Sequence, residues 1–289
     1  MAQFLTEAMG TLSDAGSLFV VAAGLTLVFG AMRVINLAHG SFYMYGAFLM
    51  TTFVGTSSGL RFWWSILLAA LVVGALGFVV QLGVVRFVVG KEPLTQLVAT
   101  FAVFYVLADI GLHIWGDGAR TVMAPLAVSS SFTLAGAYLP VYDLVIIGCA
   151  ILVGLALWLV LGHTSLGWMI RAAVDDPEIL QSGGVNLRRL HLGVFTAGAL
   201  LAALAGAIVT PQISVAPGMD QSIIVTSLLV VVIGGLGSVV GTALAALIIG
   251  IADTVGTLVA PNWAATFMYF AVILVLVVRP WGLFGTPER

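Results

Sequence analysis

Residues 33–49, RVINLAHGSFYMYGAFL, place polar side chains between two apolar segments. Asn36, His39 and Ser41 carry amide, imidazole and hydroxyl groups, which can hydrogen-bond backbone groups freed by a break in a helix. Inside a membrane, such a break is tolerated only against protein or a water-filled cavity. We therefore predict that this stretch borders a polar passage. The alternative is a short turn outside the bilayer with Arg33 at its edge.

A second interruption, VIGGLGSVVG at residues 232–241, divides the C-terminal half in a comparable way. Paired interruptions in the two halves of a transporter indicate a translocation path at their interface. The identity between the two stretches is too slight to establish a repeat. The residues predicted to line the path are Asn36, His39, Gly40, Ser41, Tyr43, Gly234 and Gly235.

The remaining reactive side chains do not form a catalytic or metal-binding pattern. Asp109, Asp143 and Asp253 lie in apolar runs, where ionisable groups are candidates for function, but they fall near the ends of those runs, so capping or interfacial hydration is predicted. The four histidines lack paired ligand spacing, so no metal site is predicted. The sequence contains no phosphate-binding G-x-x-x-x-G-K-[ST] motif, so we expect this chain to bind no ATP and no other cofactor.

Composition indicates a membrane protein. Of the 289 residues, 61% are hydrophobic and 8% are charged, with a mean hydropathy of +1.19, whereas soluble domains carry about 25% charged residues. The net charge of -2 gives no sign of a nucleic-acid partner. The single cysteine, Cys149, lies in an apolar run and is expected to serve packing.

The apolar runs predict an all-α fold, a polytopic transmembrane bundle of about eight or nine spans with broken helices. A helix needs about 20 residues to cross the hydrocarbon core. No segment alternates as the strands of a membrane barrel do. We predict a single domain over residues 1–289. The predicted spans are 16–32, 40–55, 63–85, 94–113, 139–161, 191–209, 222–237, 239–258 and 263–279.

The distribution of basic residues predicts the orientation. With segment 162–190 inside, eight Lys and Arg residues lie inside and two, Arg61 and Arg120, lie outside, a strong bias by the positive-inside rule. Nine spans then place the N-terminus outside and the C-terminus inside. The outer segment 114–138 leads into an alternating stretch that could form a small hairpin. The inside residues are Arg33, Arg86, Lys91, Arg171, Arg188, Arg189, Arg279 and Arg289.

The polar segment 162–190 contains a predicted short helix. Thr164 or Ser165 can cap a first helix, and Asp176 followed by Pro177 begins a second. A left-handed glycine, Gly183 or Gly184, would end the second helix after about six residues. A helix of that length is not stable alone, so it needs a surface to dock against. An ordinary solvated loop is the alternative.

Three blocks together resemble a known family: GLTLVFGAMRVINLAHGSFYMYGAF, RAAVDDPEILQSGGVNLRRL and VVVIGGLGSVVGTALAALIIG. In order and spacing they are similar to the H-type permease subunit of branched-chain amino-acid ABC importers. The resemblance implies a permease of the bacterial inner membrane, paired with a second homologous permease as a heterodimer. It implies two ATPase subunits that bind ATP and Mg²⁺, and a soluble substrate-binding protein that docks on the outer side near 114–138.

The resemblance also implies that segment 162–190 carries the coupling helix, which sits in a groove of the ATPase. Ser182 and Gly183 stand where the family has bulkier apolar residues. Ile179 and Leu180 are expected to supply the buried contact. The positions assigned to coupling are Arg171, Ala172, Asp176, Ile179, Leu180, Gly184, Val185 and Asn186.

Other functions stay open at the level of the sequence. A self-sufficient ion-coupled secondary transporter or channel would use Asp109 or Asp253 as its coupling carboxylate, and a non-transporting scaffold would use neither. The substrate is also open between branched-chain amino acids and amides, urea or aromatic acids.

Overall fold

Each predicted apolar span forms a helix in the part of the chain that the computed structural model describes, residues 1–55 and 59–285. The helices are α1 Ala2–Met32, α2 His39–Val54, α3 Leu60–Val88, α4 Pro93–Trp115, α5 Val141–His163, α6 Ser165–Asp175, α7 Pro177–Ser182, α8 Leu187–Val209, α9 Met219–Gly234, α10 Val239–Val259 and α11 Ala264–Val278. A wider turn, Gln81–Val85, interrupts α3, and a single 3₁₀ turn, Pro261–Trp263, precedes α11.

Helix length separates two of these helices from the others. Within the described residues, seven helices are long and apolar enough to cross a membrane: α1, α3, α4, α5, α8, α10 and α11 with its preceding turn. Helices α2 and α9 have 16 residues each, about 24 Å at 1.5 Å per residue, which is short of a core about 30 Å thick. The chain is therefore a multi-pass helical membrane protein, as the sequence predicts, and two of the predicted spans, 40–55 and 222–237, form short helices.

The ends of the helices form two faces. On the basic face, Gly30 near the end of α1 lies against Gly237 in the turn between α9 and α10. The basic residues of this face are Arg33, Arg86, Lys91, Arg171, Arg188, Arg189 and Arg279; Arg289, which was also predicted there, lies outside the described residues. The opposite face carries Arg61 and Arg120.

A small hairpin lies on the opposite face, as predicted. Strands β1, Ser131–Leu134, and β2, Ala137–Pro140, pair antiparallel. The turn residues Ala135 and Gly136 both have positive φ, 51° and 82°, which matches the twist of a tight two-residue hairpin. The hairpin packs on the start of α1, where Met9 forms a cluster with Ala137 and Leu139.

Helices α1 and α8 cross at the centre of the bundle in opposite directions. They cross at glycines: a Cβ on Gly24 would lie 2.8 Å from the Gly198 carbonyl oxygen, and one on Gly198 would lie 3.0 Å from the Gly24 carbonyl oxygen. Small residues of this kind allow membrane helices to approach closely. The Gly24–Gly198 contact is reciprocal, since each glycine faces the backbone of the other helix.

The helices around this crossing repeat in inverted order. Helix α3 packs on α8, and α10 packs on α1 in the corresponding position; Thr26 and Thr242 share a 2.7 Å hydrogen bond in the α1–α10 contact. Each short helix packs on the long helix that follows it, α2 on α3 and α9 on α10. The bundle thus has two halves, α1–α4 and α8–α11, that run in opposite directions across the membrane.

Candidate translocation and coupling sites

The first break returns the chain to the middle of the bundle. Arg33 adopts a left-handed conformation (φ 51°) at the end of α1, and residues 34–38 run back along that helix. His39, at the start of α2, then places its Nε2 2.8 Å from the carbonyl oxygen of Val21, about three turns above the end of α1. The break therefore lies inside the bundle and not in a turn outside it.

The second break occurs at residues 210–218, not at the predicted 232–241. This segment enters from the opposite face, where Arg120 and Val215 exchange two backbone hydrogen bonds of 2.8 Å. Gly218 (φ 90°) then leads into α9. The predicted stretch 232–241 is instead a tight turn on the basic face, in which Gly235 and Gly237 have φ of 96° and 89°.

Helices α2 and α9 begin at the same place, one from each break. A Cβ on Gly40 would collide with the Asp220 carbonyl oxygen. Ser41 Oγ lies 3.5 Å from Asp220 Oδ2, across 179 positions of sequence, and 3.3 Å from the carbonyl oxygen of Phe104 in α4. We call this meeting point, formed by His39, Gly40, Ser41 and Asp220, the short-helix crossing.

The electrostatics of the short-helix crossing favour a negative charge. The N-terminus of a helix carries a partial positive charge, and two of them meet here. The Asp220 carboxylate, 1% exposed, lies between them and accepts a hydrogen bond from the Gln221 backbone at 3.1 Å. Sequence reasoning missed Asp220 because the predicted span began at residue 222. An acid two residues after Gly218, at a helix start, was the available signal.

The structure brings most of the predicted path residues together. Asn36, His39, Gly40 and Ser41 are buried in or beside the crossing, and Tyr43 follows one turn later. Asn36 Oδ1, His39 Nδ1 and Ser227 Oγ have no hydrogen-bond partner among the described residues. Unsatisfied buried groups of this kind can hydrogen-bond a polar molecule. Gly234 and Gly235 lie at the far end of α9, about 20 Å away by helix length.

The other candidate carboxylates lie away from the crossing. Asp109 is 71% exposed, with a carboxylate oxygen 3.7 Å from His113 Nδ1. Asp253 is exposed near the opposite face. Asp143 lies near the same face but is buried, and it accepts a hydrogen bond from the side chain of Gln212, so its carboxylate is bonded within the protein, where the sequence predicted capping or interfacial hydration.

The short helix of segment 162–190 forms with the predicted boundaries. Asp176 Oδ1 accepts hydrogen bonds from the backbone of Glu178 (3.1 Å) and Ile179 (3.0 Å), and Pro177 is the first residue of α7. Gly184 (φ 87°) supplies the left-handed residue. The predicted cap of α6 differs, because the Thr164 hydroxyl donates back to the Val160 carbonyl.

The side chains of this segment correct one prediction. Leu180 is 7% exposed and packs inside this chain, whereas Ile179 is 70% exposed. Leu180 therefore anchors α7 to its own bundle, and only Ile179 of the pair is free to contact another subunit. The periodicity of so short a helix did not reveal which of two adjacent apolar residues faces inward.

The remaining coupling positions mostly serve the local fold. Arg171 Nη1 donates to the Leu161 carbonyl oxygen at 2.8 Å. Ala172 and Val185 are partly buried against the core. Asn186 caps α8 by accepting a hydrogen bond from the Arg189 backbone at 3.1 Å. They hold the exposed tip, residues 175–184, in a fixed shape.

Inverted halves with broken helices that meet inside the bundle define a membrane protein of the transporter class. Residues 8–277 match the family described as the permease component of the branched-chain amino acid transport system. The chain belongs to this family and is a multi-pass protein of the inner membrane.

Similar proteins cover nearly the whole chain. BraD, a high-affinity branched-chain amino acid permease protein of Pseudomonas aeruginosa, is 25% identical, with 99% of this chain and 97% of BraD aligned. LivH of Escherichia coli is 27% identical, covering 99% and 96%. The fructose import permease FrcC of Rhizobium meliloti is 33% identical over 43% of this chain and 37% of its own length. No solved structure matches.

Proposed function

We propose that this chain forms one half of the translocation path of an ATP-binding-cassette importer. It would carry branched-chain amino acids or related small polar solutes, delivered by a soluble binding protein. Its partners would be a second homologous permease subunit, in a heterodimer, and two ATPase subunits that bind ATP and Mg²⁺. Catalysis of ATP hydrolysis would belong to those subunits.

The short-helix crossing is the observation that carries this proposal. One break enters the bundle from each face, and both end at His39–Ser41 and Asp220. Non-helical backbone at membrane depth is a feature of substrate paths. Because the two breaks belong to opposite halves, a rocking motion of one half against the other would expose the crossing to each side in turn.

The exposed tip of segment 162–190 supports ATPase coupling. Residues 175–184 are exposed except for Leu180, and α7 is fixed by the Asp176 cap at one end and Gly184 at the other. Ile179 offers a single apolar contact at the tip, and Arg188, four residues after the tip, is also exposed. A rigid, projecting helix can pass movement between subunits, whereas a flexible loop would absorb it.

The orientation follows from the two faces. The basic face is assigned to the cytoplasm by the positive-inside rule, which puts the tip on the ATPase side and the hairpin on the side of the binding protein. The position of Asp109 and Asp253, both exposed and outside the crossing, favours this function over an ion-coupled transporter that uses them.

Copurification and ATP hydrolysis test the proposal. The chain should copurify with an ATPase subunit, and Ile179→Asp should remove that subunit because it places a charge at the apolar contact. Tyr138→Asp, a matched change on the exposed hairpin (71% exposed), should retain it. Sodium- or proton-driven uptake by this chain alone would overturn the proposal.

Labelling tests the orientation separately. In a Cys149→Ala background, Glu178→Cys should resist an impermeant thiol reagent added to intact cells, while Tyr138→Cys should react. Reaction of Glu178→Cys from outside would reverse the assignment of the faces.

A further inference from the structure

A groove of about 430 Å³ opens between α1, α5, α6 and α10 near the basic face. We call it the α5–α10 groove. Five glycines from four segments line it: Gly30, Gly154, Gly162, Gly167 and Gly237. Its walls are large apolar side chains, including Phe19, Leu27, Leu157, Trp158, Val239 and Val240.

The polar groups of the walls are already paired. The hydroxyls of Thr26 and Thr242 bond to each other at 2.7 Å, and Ser238 Oγ accepts the backbone N–H of Gly241 at 3.1 Å. The described residues that line the groove include no Asp or Glu. Its interior therefore presents hydrocarbon and does not offer a counter-charge to the ammonium group of an amino acid.

One cation lies at the end of the groove toward the basic face. Arg171 lines the groove and bonds the Leu161 carbonyl oxygen through Nη1. A guanidinium group has five N–H donors, so most of its donors are left for another group. The groove thus combines an apolar body with a cationic end.

This end of the groove has the features of a membrane interface. Trp158 in α5 and Trp168 in α6, both shortly before Arg171 in sequence, are 54% and 58% exposed. Exposed tryptophans are typical of the level of lipid head groups. Basic pockets between membrane helices at this level bind anionic head groups.

We propose that the α5–α10 groove binds an anionic phospholipid from the leaflet at the basic face. An acyl chain occupies the apolar body between α5 and α10, and the phosphate group contacts the Arg171 guanidinium. Because α6 forms one wall, the bound lipid supports the helix that leads into the tip at residues 175–184. Only that last consequence, the effect on coupling, rests on the proposed function.

Lipid retention provides the test. The chain, with the subunits that copurify with it, is placed in nanodiscs of phosphatidylcholine containing phosphatidylglycerol, and the lipids that stay bound are counted by native mass spectrometry. Arg171→Gln should lower retention of phosphatidylglycerol about fivefold relative to phosphatidylcholine, and Arg171→Lys should restore it. Arg188→Gln, an exposed basic residue outside the groove, is the matched control.

A second variant fills the body of the groove. A Cβ at Gly154 would meet only the Phe19 ring, at 3.4 Å, so Gly154→Leu should be tolerated by the fold and should reduce retention of both lipids.

Equal phosphatidylglycerol selectivity in Arg171→Gln and Arg188→Gln, or unchanged retention in Gly154→Leu, would overturn the proposal. So would cysteine crosslinking from Trp158→Cys to a second permease subunit, because that subunit would then cover the groove. None of these measurements depends on ATP hydrolysis, so they fail or succeed independently of the proposed function.

Discussion

The Nε2 atom of His39 and the carbonyl oxygen of Val21 are 2.8 Å apart, and both residues are fully buried. This contact fixes the start of α2 to the middle of α1, although six residues of non-helical chain separate the two helices. A histidine that donates through Nε2 leaves Nδ1 as an acceptor, and Nδ1 has no partner among the described residues. His39 therefore both supports the short-helix crossing and offers it a free polar atom.

Replacement of His39 tests this double role. We expect His39→Leu to lower substrate uptake severalfold, because it removes the bond to Val21 and the acceptor at Nδ1; loss of a buried hydrogen bond costs about 1–3 kcal/mol. His39→Gln keeps a donor and an acceptor and should retain more uptake. Uptake is measured at equal amounts of permease in the membrane. Normal transport by His39→Leu would show that this break has no part in the path.

The close contact of α2 with α8 predicts strong sensitivity at two glycines. A Cβ at Gly46 would collide with the backbone of Ala203, and a Cβ at Gly206 would collide with the carbonyl of Tyr43. Gly46→Ala and Gly206→Ala should each lower the melting temperature of the purified protein, since overpacking costs about 1–3 kcal/mol. Gly148→Ala, where a Cβ meets nothing within 4 Å, is the control. Melting temperatures equal to that of the control would contradict the packing.

Variants of the buried and exposed carboxylates distinguish an ATP-driven importer from an ion-coupled transporter. Asp220 is buried at the crossing of two helix N-termini, so Asp220→Ala should reduce uptake, while Asp220→Asn, which can still accept a hydrogen bond from the backbone of Gln221, should reduce it less. Asp109→Asn and Asp253→Asn should transport normally. A transporter that loses uptake on Asp253→Asn but not on Asp220→Ala would use ion coupling instead.

Two adjacent glycines give a matched test of coupling. Gly184 has φ of 87° whereas Gly183 has φ of -74°, so only Gly184→Ala places a side chain in a left-handed conformation, at a cost of about 1–2 kcal/mol. We expect Gly184→Ala to lower binding-protein-stimulated ATP hydrolysis and uptake, and Gly183→Ala to leave both close to normal. Equal activity of the two variants would mean that the shape of the tip does not matter for coupling.

The sequence by itself determined the helices and their approximate ends. A run of about 20 apolar residues has one stable form in a bilayer, because every backbone group must be hydrogen-bonded within the segment. Local chemistry likewise determined α7, since the Asp176 cap, Pro177 and a left-handed Gly184 act within ten residues. The distribution of basic residues predicted two faces, and the described part of the chain has them.

Only the tertiary structure decided where the breaks lead. The polar residues at 33–41 indicated a break, but its depth depends on the contact between His39 and Val21. The segment that meets this break is identified only by the contact between Ser41 and Asp220, which are 179 positions apart in sequence. The sequence alone does not distinguish the glycine-rich turn at 232–241, which lies on the basic face, from the segment at 210–218, which enters the bundle from the opposite face. Likewise, the choice of Leu180 as the buried residue and Ile179 as the exposed one follows from the surface on which α7 lies, and contacts between distant segments set that surface.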